Sequence, residues 1–357
     1  MAASRCETAV EESVSLLARD NFDGTVGGDV SPRDPKFFVF GAGRSGTTLL
    51  AFLLSGQPGL FCINDSFVFR AFVDSVLGLG PSEDKAWIRM SRMLRSVFLL
   101  PDIRGLQAAK GRSLREVLNR MQEDHFLESF PLGTTVHQAE LERYLAILRH
   151  RYSRIKQYDD FLTEYLGPLE TAAEELLISS PASIPEVFSL PLVAIARKFR
   201  AETDGKFLLG EKTPIHTVYG RWILALYPSA RGILVSRHPL TNIASLNRRF
   251  PPLKRALSLY RRFSAALLEL QRHERIKVAR YEDLLARPQE VLSALVGWVG
   301  GQEFDSSLPM NAYVKRAYTG TSFDPGRDPD PDTLFDQATR QAIRTRFRRI
   351  FEAFGYQ

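Results

Sequence analysis

The sequence predicts an α/β protein with a P-loop-like, doubly wound parallel sheet flanked by helices and a large helical insertion. Two observations lead to this prediction. Short, almost wholly apolar runs alternate with segments of helical periodicity, which is typical of parallel strands buried on both faces. The first of these runs, 37–40, also leads directly into GAGRSGTT at 41–48. A strand, a glycine-rich loop and a helix in this order form a phosphate-binding unit.

The predicted elements follow the chain in a regular alternation. Strands are expected at 36–40, 60–63, 231–236 and 276–280, with a further strand followed by a loop in 206–214. Helices are expected at 46–55, after 214 to about 226, at 239–250, 254–273, from 288 onward and at 336–354. Residues 1–35 are predicted to be a loosely structured leader and 36–357 a single domain. Within that domain, 66–200 is expected to be a mainly helical insertion packed on the sheet, and 305–333 is rich in loops.

Composition narrows the possible partners. The chain of 357 residues carries a net charge of +6, with 37 Arg against 10 Lys. An arginine excess suits bidentate binding of phosphate or sulfate, although compositional bias explains it equally well. There is no zinc-finger spacing and no dense basic run, so no nucleic-acid partner is expected. The sequence does not predict the oligomeric state.

Cysteine content and hydropathy indicate the compartment. Cys6 and Cys62 are the two cysteines, too few for a disulfide framework or a cysteine-rich metal site. The first twenty residues lack the apolar core of a signal peptide, and no run of about 18 apolar residues suggests a membrane span. A cytoplasmic location is therefore expected.

The glycine-rich loop differs from that of an NTPase at one position. Gly41 and Gly46 have the NTPase spacing, but Thr47 stands where the lysine would be. Glycines allow several backbone N–H groups to point at one anion, and Arg44 adds a fixed positive charge. An NTPase also needs an acid at a strand end for magnesium, whereas the strand 231–236 is followed by Arg237. The pattern predicts a short phosphate group held without a metal.

A second candidate anion site lies in SRHPLTNIASLNRRF, 236–250. Arg237 follows a predicted strand, and Ser245 and Arg249 share a face if the segment is helical from Pro239. Two guanidinium groups and a hydroxyl would bind a second anion, so the ligand would carry anionic groups at both ends. The alternative is a surface helix with solvated arginines.

These segments together resemble a known family, the sulfotransferases that use 3′-phosphoadenylyl sulfate (PAPS). FxxGAGRSGTTLL is similar to their 5′-phosphosulfate loop, and VSRHPLTNIAS to their 3′-phosphate motif. GEKTP at 210–214 and RYEDLLARP at 280–288 also resemble recurring family segments. The order is that of the family over roughly 36–300, and the loop arginine is similar to that of the tyrosylprotein and carbohydrate type.

The resemblance implies a role for each matching residue. Arg44 would contact the 5′-phosphosulfate, which the following loop residues, Ser45, Gly46, Thr47 and Thr48, would cradle. The 3′ phosphate would be held by Arg237, Ser245 and Arg249. Tyr281 would line the nucleotide site. Lys212, in EKTP, would stabilise the charge that develops as the S–O bond breaks; its alternative is a structural ion pair with a nearby acid.

A general base is needed to take the acceptor's proton. The tyrosylprotein branch uses a glutamate twenty-one residues after the loop arginine, and that count leads from Arg44 to Asp65, with Cys62 also matching. The departure is Asp for Glu, with Asn64 in place of the preceding acid. The alternatives are that Asp65 is the N-cap of a following helix, and that His216 is the base; for His216 we favour a packed or capping histidine.

The resemblance therefore implies transfer of sulfonate from PAPS to a hydroxyl-bearing acceptor, with adenosine 3′,5′-bisphosphate (PAP) as product and no metal. The acceptor would bind against the helical insertion. Two other functions stay open: a P-loop-type small-molecule kinase that binds Mg-ATP, and a catalytically inert nucleotide-binding module. A loop late in the chain, with Lys315, Arg316, Ser322 and Arg327, has no spacing that assigns it a role.

Overall fold

Five parallel strands form the central sheet of this computed structural model. The structure describes residues 34–71, 135–136, 138–155, 167–168, 170–172, 182–200, 207–301, 304–306 and 330–356. The sheet strands are β1 (Phe37–Gly41), β2 (Leu60–Asn64), β5 (Leu208–Lys212), β6 (Arg231–Ser236) and β7 (Ile276–Arg280). Their order is β2-β5-β1-β6-β7 and every pairing is parallel. A separate antiparallel pair joins β3 (Thr135–Val136) to β4 (Ala182–Ser183).

The described α-helices connect these strands. They are α1 (Thr47–Ser55), α2 (Gln138–Ile155), α3 (Ile184–Arg200), α4 (Gly220–Leu226), α5 (Pro239–Arg249), α6 (Leu253–Leu270), α7 (Tyr281–Ala286), α8 (Pro288–Val299), α9 (Gln337–Arg346) and α10 (Arg348–Phe354). Short 3₁₀ turns lie at Pro214–Tyr219 and Pro331–Thr333, and a further helix begins at Val68. Strands therefore alternate with helices, as a doubly wound fold requires.

Helices cover both faces of the sheet. Successive side chains of β1 point to opposite faces: Phe38 and Phe40 belong to one apolar cluster, Phe37 and Val39 to the other. The Phe38 cluster includes residues of α2 to α6, α9 and α10, and the Phe37 cluster includes residues of α1, α7 and α8. All five residues of β1 are buried, which explains why the sequence shows a continuous apolar run there instead of an alternating one.

The strand order creates a topological switch point beside β1. On one side of β1 lie β5 and then β2, although β2 comes before β5 in the sequence; on the other side lie β6 and β7. In such sheets the crevice at the carboxyl ends of the strands binds ligands. The glycine-rich loop follows β1 at this point, and every site residue predicted from the sequence lies in that loop, at a strand's carboxyl end or in the segment that follows it.

The predicted elements agree closely with the described ones, except at three places. The predicted helix at 254–273 ends at Leu270. The segment 214–226 begins as a 3₁₀ turn, and the predicted terminal helix is two helices separated at Phe347. In the predicted insertion 66–200, the longest described pieces are α2 and α3. Most other residues of the insertion lie outside the described ranges given above, as do residues 1–33 and 307–329.

Candidate active site

The loop after β1 has backbone geometry suited to an anion. Gly46 precedes α1 with φ 97°, in the left-handed region, and no side chain caps the first-turn N–H groups of that helix. A Cβ at Gly46 would lie 2.2 Å from Cδ2 of Tyr281, so only glycine fits there. Among the described residues, the buried hydroxyl of Ser45 has no hydrogen-bond partner. The N-terminal end of α1 thus offers uncapped donors and a positive dipole end.

Two side chains that sequence reasoning missed hold this loop in place. The Thr217 hydroxyl accepts a hydrogen bond from Gly41 N at 2.7 Å and donates to Gly41 O at 2.9 Å. Asn242 Nδ2 donates to Gly43 O at 3.1 Å. Thr217 follows β5, and Asn242 lies in α5 within the 236–250 motif. The spacing in neither segment indicates a contact with the loop, because that contact depends on how the strands are ordered.

The two predicted anion motifs meet in space. Arg44 Nε donates to Ser245 Oγ at 3.3 Å, although 201 residues separate them. Arg237 Nη1 donates to the carbonyl oxygen of Arg44 at 2.7 Å, and its guanidinium lies 4.7 Å from the centre of the Tyr281 ring. The fold therefore brings the loop, the strand end at Arg237, the helix at Ser245 and the RYED segment together at one edge.

Arg249 is placed less closely. It ends α5 one turn after Ser245, so the two residues share a helix face as predicted. Its side chain is exposed, and its guanidinium lies 5.8 Å from the ring centre of Phe250. The structure does not bring Arg249 into contact with Arg44, Arg237 or Tyr281, and its role in binding a 3′ phosphate stays a prediction.

Lys212 and Asp65 form an ion pair at the carboxyl ends of β5 and β2. Lys212 Nζ lies 2.9 Å from Asp65 Oδ1 and donates to Thr48 Oγ1 at 2.7 Å. The Lys212 side chain is fully buried, whereas that of Asp65 is 26% exposed. The ion pair is the alternative given above for Lys212, and the bond to Thr48 places its ammonium beside the loop; its role in stabilising charge stays a prediction. Asp65 is not a helix N-cap, because the next helix begins only at Val68.

A buried network of side chains lies beneath this pair. The Glu211 carboxylate accepts hydrogen bonds from the hydroxyls of Ser66 and Thr213, each at 2.6 Å, and lies 3.0 Å from His216 Nδ1. Burial by itself would raise the pKa of Glu211, but its contacts with His216, Ser66 and Thr213 hold that pKa below the ordinary value. Glu211 is therefore an ionised buried carboxylate.

This network determines the role of His216. Its Nε2 accepts from the backbone N–H of Arg70 at 3.3 Å, and its Nδ1 faces Glu211 Oε2 at 3.0 Å. The ring is 1% exposed. Both nitrogens are engaged in the interior, so the structure does not support His216 as the base; it is a packed histidine, as the favoured sequence interpretation holds.

The same network holds a segment with unusual backbone angles. Asp65 and Phe67 both have φ 57°, in the left-handed region, where non-glycine residues are strained. Asp65 N donates to Lys212 O at 2.6 Å and Phe67 N to Thr213 Oγ1 at 3.2 Å. The position of the Asp65 carboxylate therefore depends on contacts from β5.

Two further observations apply to the described part of the chain. Within those residues, no group of three or more His, Cys, Asp or Glu side chains is arranged to hold a metal ion. No described helix is long and apolar enough to cross a membrane. The late loop with Lys315, Arg316, Ser322 and Arg327 lies outside the described residues.

Comparison with known proteins identifies the family. The model of the sulfotransferase family matches residues 35–305, which include both anion motifs, Asp65 and Lys212. The chain belongs to the sulfotransferase family. Within this family assignment, the doubly wound sheet and the loop after β1 agree with the fold and the recognition that the sequence predicts. No curated protein matches the chain.

Solved structures of other sulfotransferases resemble this family member. The sulfotransferase domain of the Synechococcus PCC 7002 olefin synthase is 18% identical, with 91% of this chain and 96% of that domain covered and a TM-score of 0.48. A sulfotransferase domain from the curacin biosynthetic pathway is 19% identical, with 91% and 98% covered and a TM-score of 0.46. The sulfotransferase STF1 from Mycobacterium tuberculosis H37Rv is 14% identical, with 88% and 76% covered and a TM-score of 0.38.

Proposed function

We propose that this sulfotransferase moves the sulfonate group of PAPS to an acceptor hydroxyl and releases PAP. The observation that carries the proposal is the contact between Arg44 and Ser245, reinforced by the bond from Arg237 to the Arg44 carbonyl. One ligand with anionic groups at two positions could engage both motifs at once. A ligand with a single phosphate chain would engage only one of the two motifs.

The 5′ side of the donor would be bound by the loop. The uncapped N–H groups at the start of α1, the Arg44 guanidinium and the unpartnered Ser45 hydroxyl all suit an anion. Thr47 and Thr48 begin the helix and add hydroxyl groups. The backbone at Gly46 would approach the ligand closely, because the conformation of this residue and its packing against Tyr281 exclude a side chain.

The 3′ side would be bound by Arg237 and Ser245, with Arg249 as a further contact. The Arg237 guanidinium donates to the Arg44 carbonyl and lies over the ring of Tyr281. Its position is therefore largely fixed before a ligand binds. A guanidinium that already has one fixed contact loses less entropy when it binds a phosphate. The resemblance assigns the 3′ phosphate to this group.

Lys212 and Asp65 would carry out the chemistry. PAPS supplies an activated sulfonate, and the chain's residues move the proton and stabilise charge. Lys212 bonds both Thr48 of the loop and Asp65 Oδ1, so it links the donor side to the candidate base. We assign Asp65 Oδ2 as the atom that accepts the acceptor's proton, and the Lys212 ammonium as the group that stabilises the oxygen left when the S–O bond breaks.

The decisive experiment is calorimetric titration of the purified protein with PAP, Mg-ATP and AMP. Wild type should bind PAP and prefer it to AMP. Arg237→Ala should lower PAP affinity at least about tenfold, since a charged hydrogen-bonding group is lost. Arg231→Ala is the matched control: it removes an arginine from the other end of β6, where the side chain contacts Trp298, and should leave PAP affinity unchanged.

Each outcome has a clear meaning. Binding of Mg-ATP without preference for a 3′ phosphate would contradict the proposal and favour the kinase alternative. Binding of none of the three would contradict the proposal, whereas binding of PAP without transfer to any acceptor would favour the inert nucleotide-binding module. If PAP binds as expected, labelled PAPS should be offered to phenolic metabolites, carbohydrates, lipid-linked sugars and peptide tyrosines. Transfer of label to one class would then identify the acceptor hydroxyl.

A further inference from the structure

Tyr356 is buried beside the carboxyl end of β6, against Ser236, which precedes Arg237 in the sequence. Gly355 ends α10 in the left-handed conformation with φ 66°, and Tyr356 N donates to Phe351 O at 2.9 Å. This turn directs the side chain inward, where it is 7% exposed. The match to the family model ends at residue 305, fifty-one positions before Tyr356.

The Tyr356 hydroxyl bonds to two groups at the ends of neighbouring strands. It lies 3.0 Å from Ser236 Oγ, at the end of β6, and donates to Glu282 Oε2 at 3.1 Å. Burial, followed by the charge of Glu282, raises the pKa of Tyr356 well above its ordinary value. The hydroxyl therefore stays protonated and donates to Glu282, so Ser236 donates to Tyr356.

Glu282 contacts the backbone on the other side of Arg237. Its other oxygen, Oε1, accepts from the backbone N–H of His238 at 2.8 Å. The residues immediately before and after Arg237 are thus both held through the Tyr356 and Glu282 pair. The ring of His238 also packs edge-on against Tyr356, with centroids 5.3 Å apart.

Residues next to Tyr356 and Glu282 also contact the Arg237 side chain or the Tyr356 ring. The Tyr281 ring that stacks on Arg237 directly precedes Glu282 at the start of α7, and the Arg280 guanidinium lies 4.5 Å from the Tyr356 ring centre. Residues of α7 and Tyr356, two positions after the end of α10, therefore contact both the backbone beside Arg237 and its guanidinium or the groups next to it.

We propose that Tyr356, acting through Glu282, is a positioning residue for Arg237 and thereby sets how strongly the site prefers a nucleotide with a 3′ phosphate. The inference rests on the proposed function, because it assigns the 3′ phosphate to Arg237. Tyr356 itself does not touch the nucleotide. A displaced peptide on either side of Arg237 would misdirect the guanidinium while leaving the loop after β1 intact.

The test compares PAP with AMP, which lacks the 3′ phosphate, by calorimetry on the full chain. Tyr356→Phe keeps the ring and removes the hydroxyl. The variant loses the bonds to Glu282 and Ser236. Because these contacts act on Arg237 only indirectly, we expect about a fivefold rise in the Kd for PAP, within the range of a single net hydrogen bond, with the Kd for AMP unchanged. Tyr227→Phe is the matched control, because that buried hydroxyl bonds Ser189 and Tyr227 precedes the opposite end of β6. It should leave both constants unchanged.

A second variant keeps the test decisive if Tyr356→Phe does not fold. Glu282→Gln retains an oxygen for His238 N and replaces the acceptor of the Tyr356 hydroxyl. It should also lower the preference for PAP over AMP. If Tyr356 acts through Glu282, the double variant should have the same preference as Glu282→Gln alone, since the two changes interrupt one path.

The outcomes separate this inference from the proposed function. Failure of wild type to bind PAP, or equal affinity for PAP and AMP, would overturn the 3′-phosphate assignment and this inference with it. Wild type that prefers PAP, with the same preference in Tyr356→Phe or Glu282→Gln, would overturn the inference alone. A purely structural role would weaken PAP and AMP equally, and that result would also overturn it.

Discussion

Lys212 and Asp65 form an ion pair whose two members differ in exposure. Nζ and Oδ1 are 2.9 Å apart, the lysine side chain has no exposed surface, and the aspartate is 26% exposed. They meet because β2 lies beside β5, with Asn64 opposite Lys212 in the register. Loss of either partner should affect catalysis, but the two losses should affect stability differently.

Replacing Asp65 should damage both properties. In Asp65→Asn the ammonium of Lys212 stays buried and keeps only neutral partners, so the free energy of unfolding should fall by about 1–3 kcal/mol. Sulfonate transfer should fall at least about 100-fold because the candidate base is lost. Urea denaturation and a transfer assay with the acceptor found by the screen measure the two effects. PAP binding should change little. A transfer rate within tenfold of wild type would show that Asp65 is not the base.

Replacing Lys212 should damage transfer more selectively. Lys212→Met fills the same buried space with an apolar chain, and the partly exposed Asp65 carboxylate can be hydrated. The loss of stability should therefore be smaller than in Asp65→Asn, while transfer falls by about 100-fold. Lys277→Met, which removes a lysine from edge strand β7 that bonds Ala294 O, should leave transfer unchanged. A larger stability loss for Lys212→Met than for Asp65→Asn would contradict this account of the pair.

The two loop glycines should respond differently to a methyl group. Gly46→Ala combines a left-handed φ of 97° with a Cβ 2.2 Å from the Tyr281 ring, so the loop or the ring must move. We expect PAP affinity to fall at least about tenfold, because the strain of a left-handed alanine, about 1–2 kcal/mol, adds to the clash with the ring and displaces the loop. At Gly43 the nearest atom would be Leu246 Cδ2 at 3.8 Å, and Gly43→Ala should leave the Kd nearly unchanged. Equal Kd values for the two variants would refute the loop geometry.

Glu211 should make stability depend on pH. Its pKa in the folded protein is held below the ordinary value of 4.5. The ionised form therefore stabilises the fold above that value, and this contribution is lost as the pH falls through the lower, folded pKa. Glu211→Gln should lower the free energy of unfolding by about 1–3 kcal/mol near neutral pH, and the difference from wild type should narrow in acid. Denaturation with urea across this pH range measures it.

The control for this prediction is Glu290→Gln. Glu290 is exposed and pairs with Arg287 on the surface of α8, so its replacement should change stability by less than about 1 kcal/mol at any pH. A difference between wild type and Glu211→Gln that stays constant from neutral to acid pH would show that Glu211 is not ionised in the fold.

The sequence predicts most of the elements and the existence of two anion motifs, because these depend on local patterns. Apolar runs bounded by glycine and proline predict β1 and β6, since a strand buried on both faces needs such a run whatever its neighbours are. The strand, loop and helix at 37–55 are likewise encoded by adjacent residues. Errors occur where a helix end depends on tertiary packing, as at Leu270 and Phe347.

The residues that could bind anions or accept a proton are recognisable from local motifs, whereas the pairs that come into contact follow from the fold. Asp65 and Lys212 are 147 residues apart, and Ser236 and Tyr356 are 120 apart. Such pairs depend on the strand order and on where the final helices pack, and neither is written in any local period. Burial also limits what each side chain can do: His216 lies in an EKTPIH stretch that suits a base, but its Nδ1 is hydrogen-bonded to the buried Glu211 carboxylate.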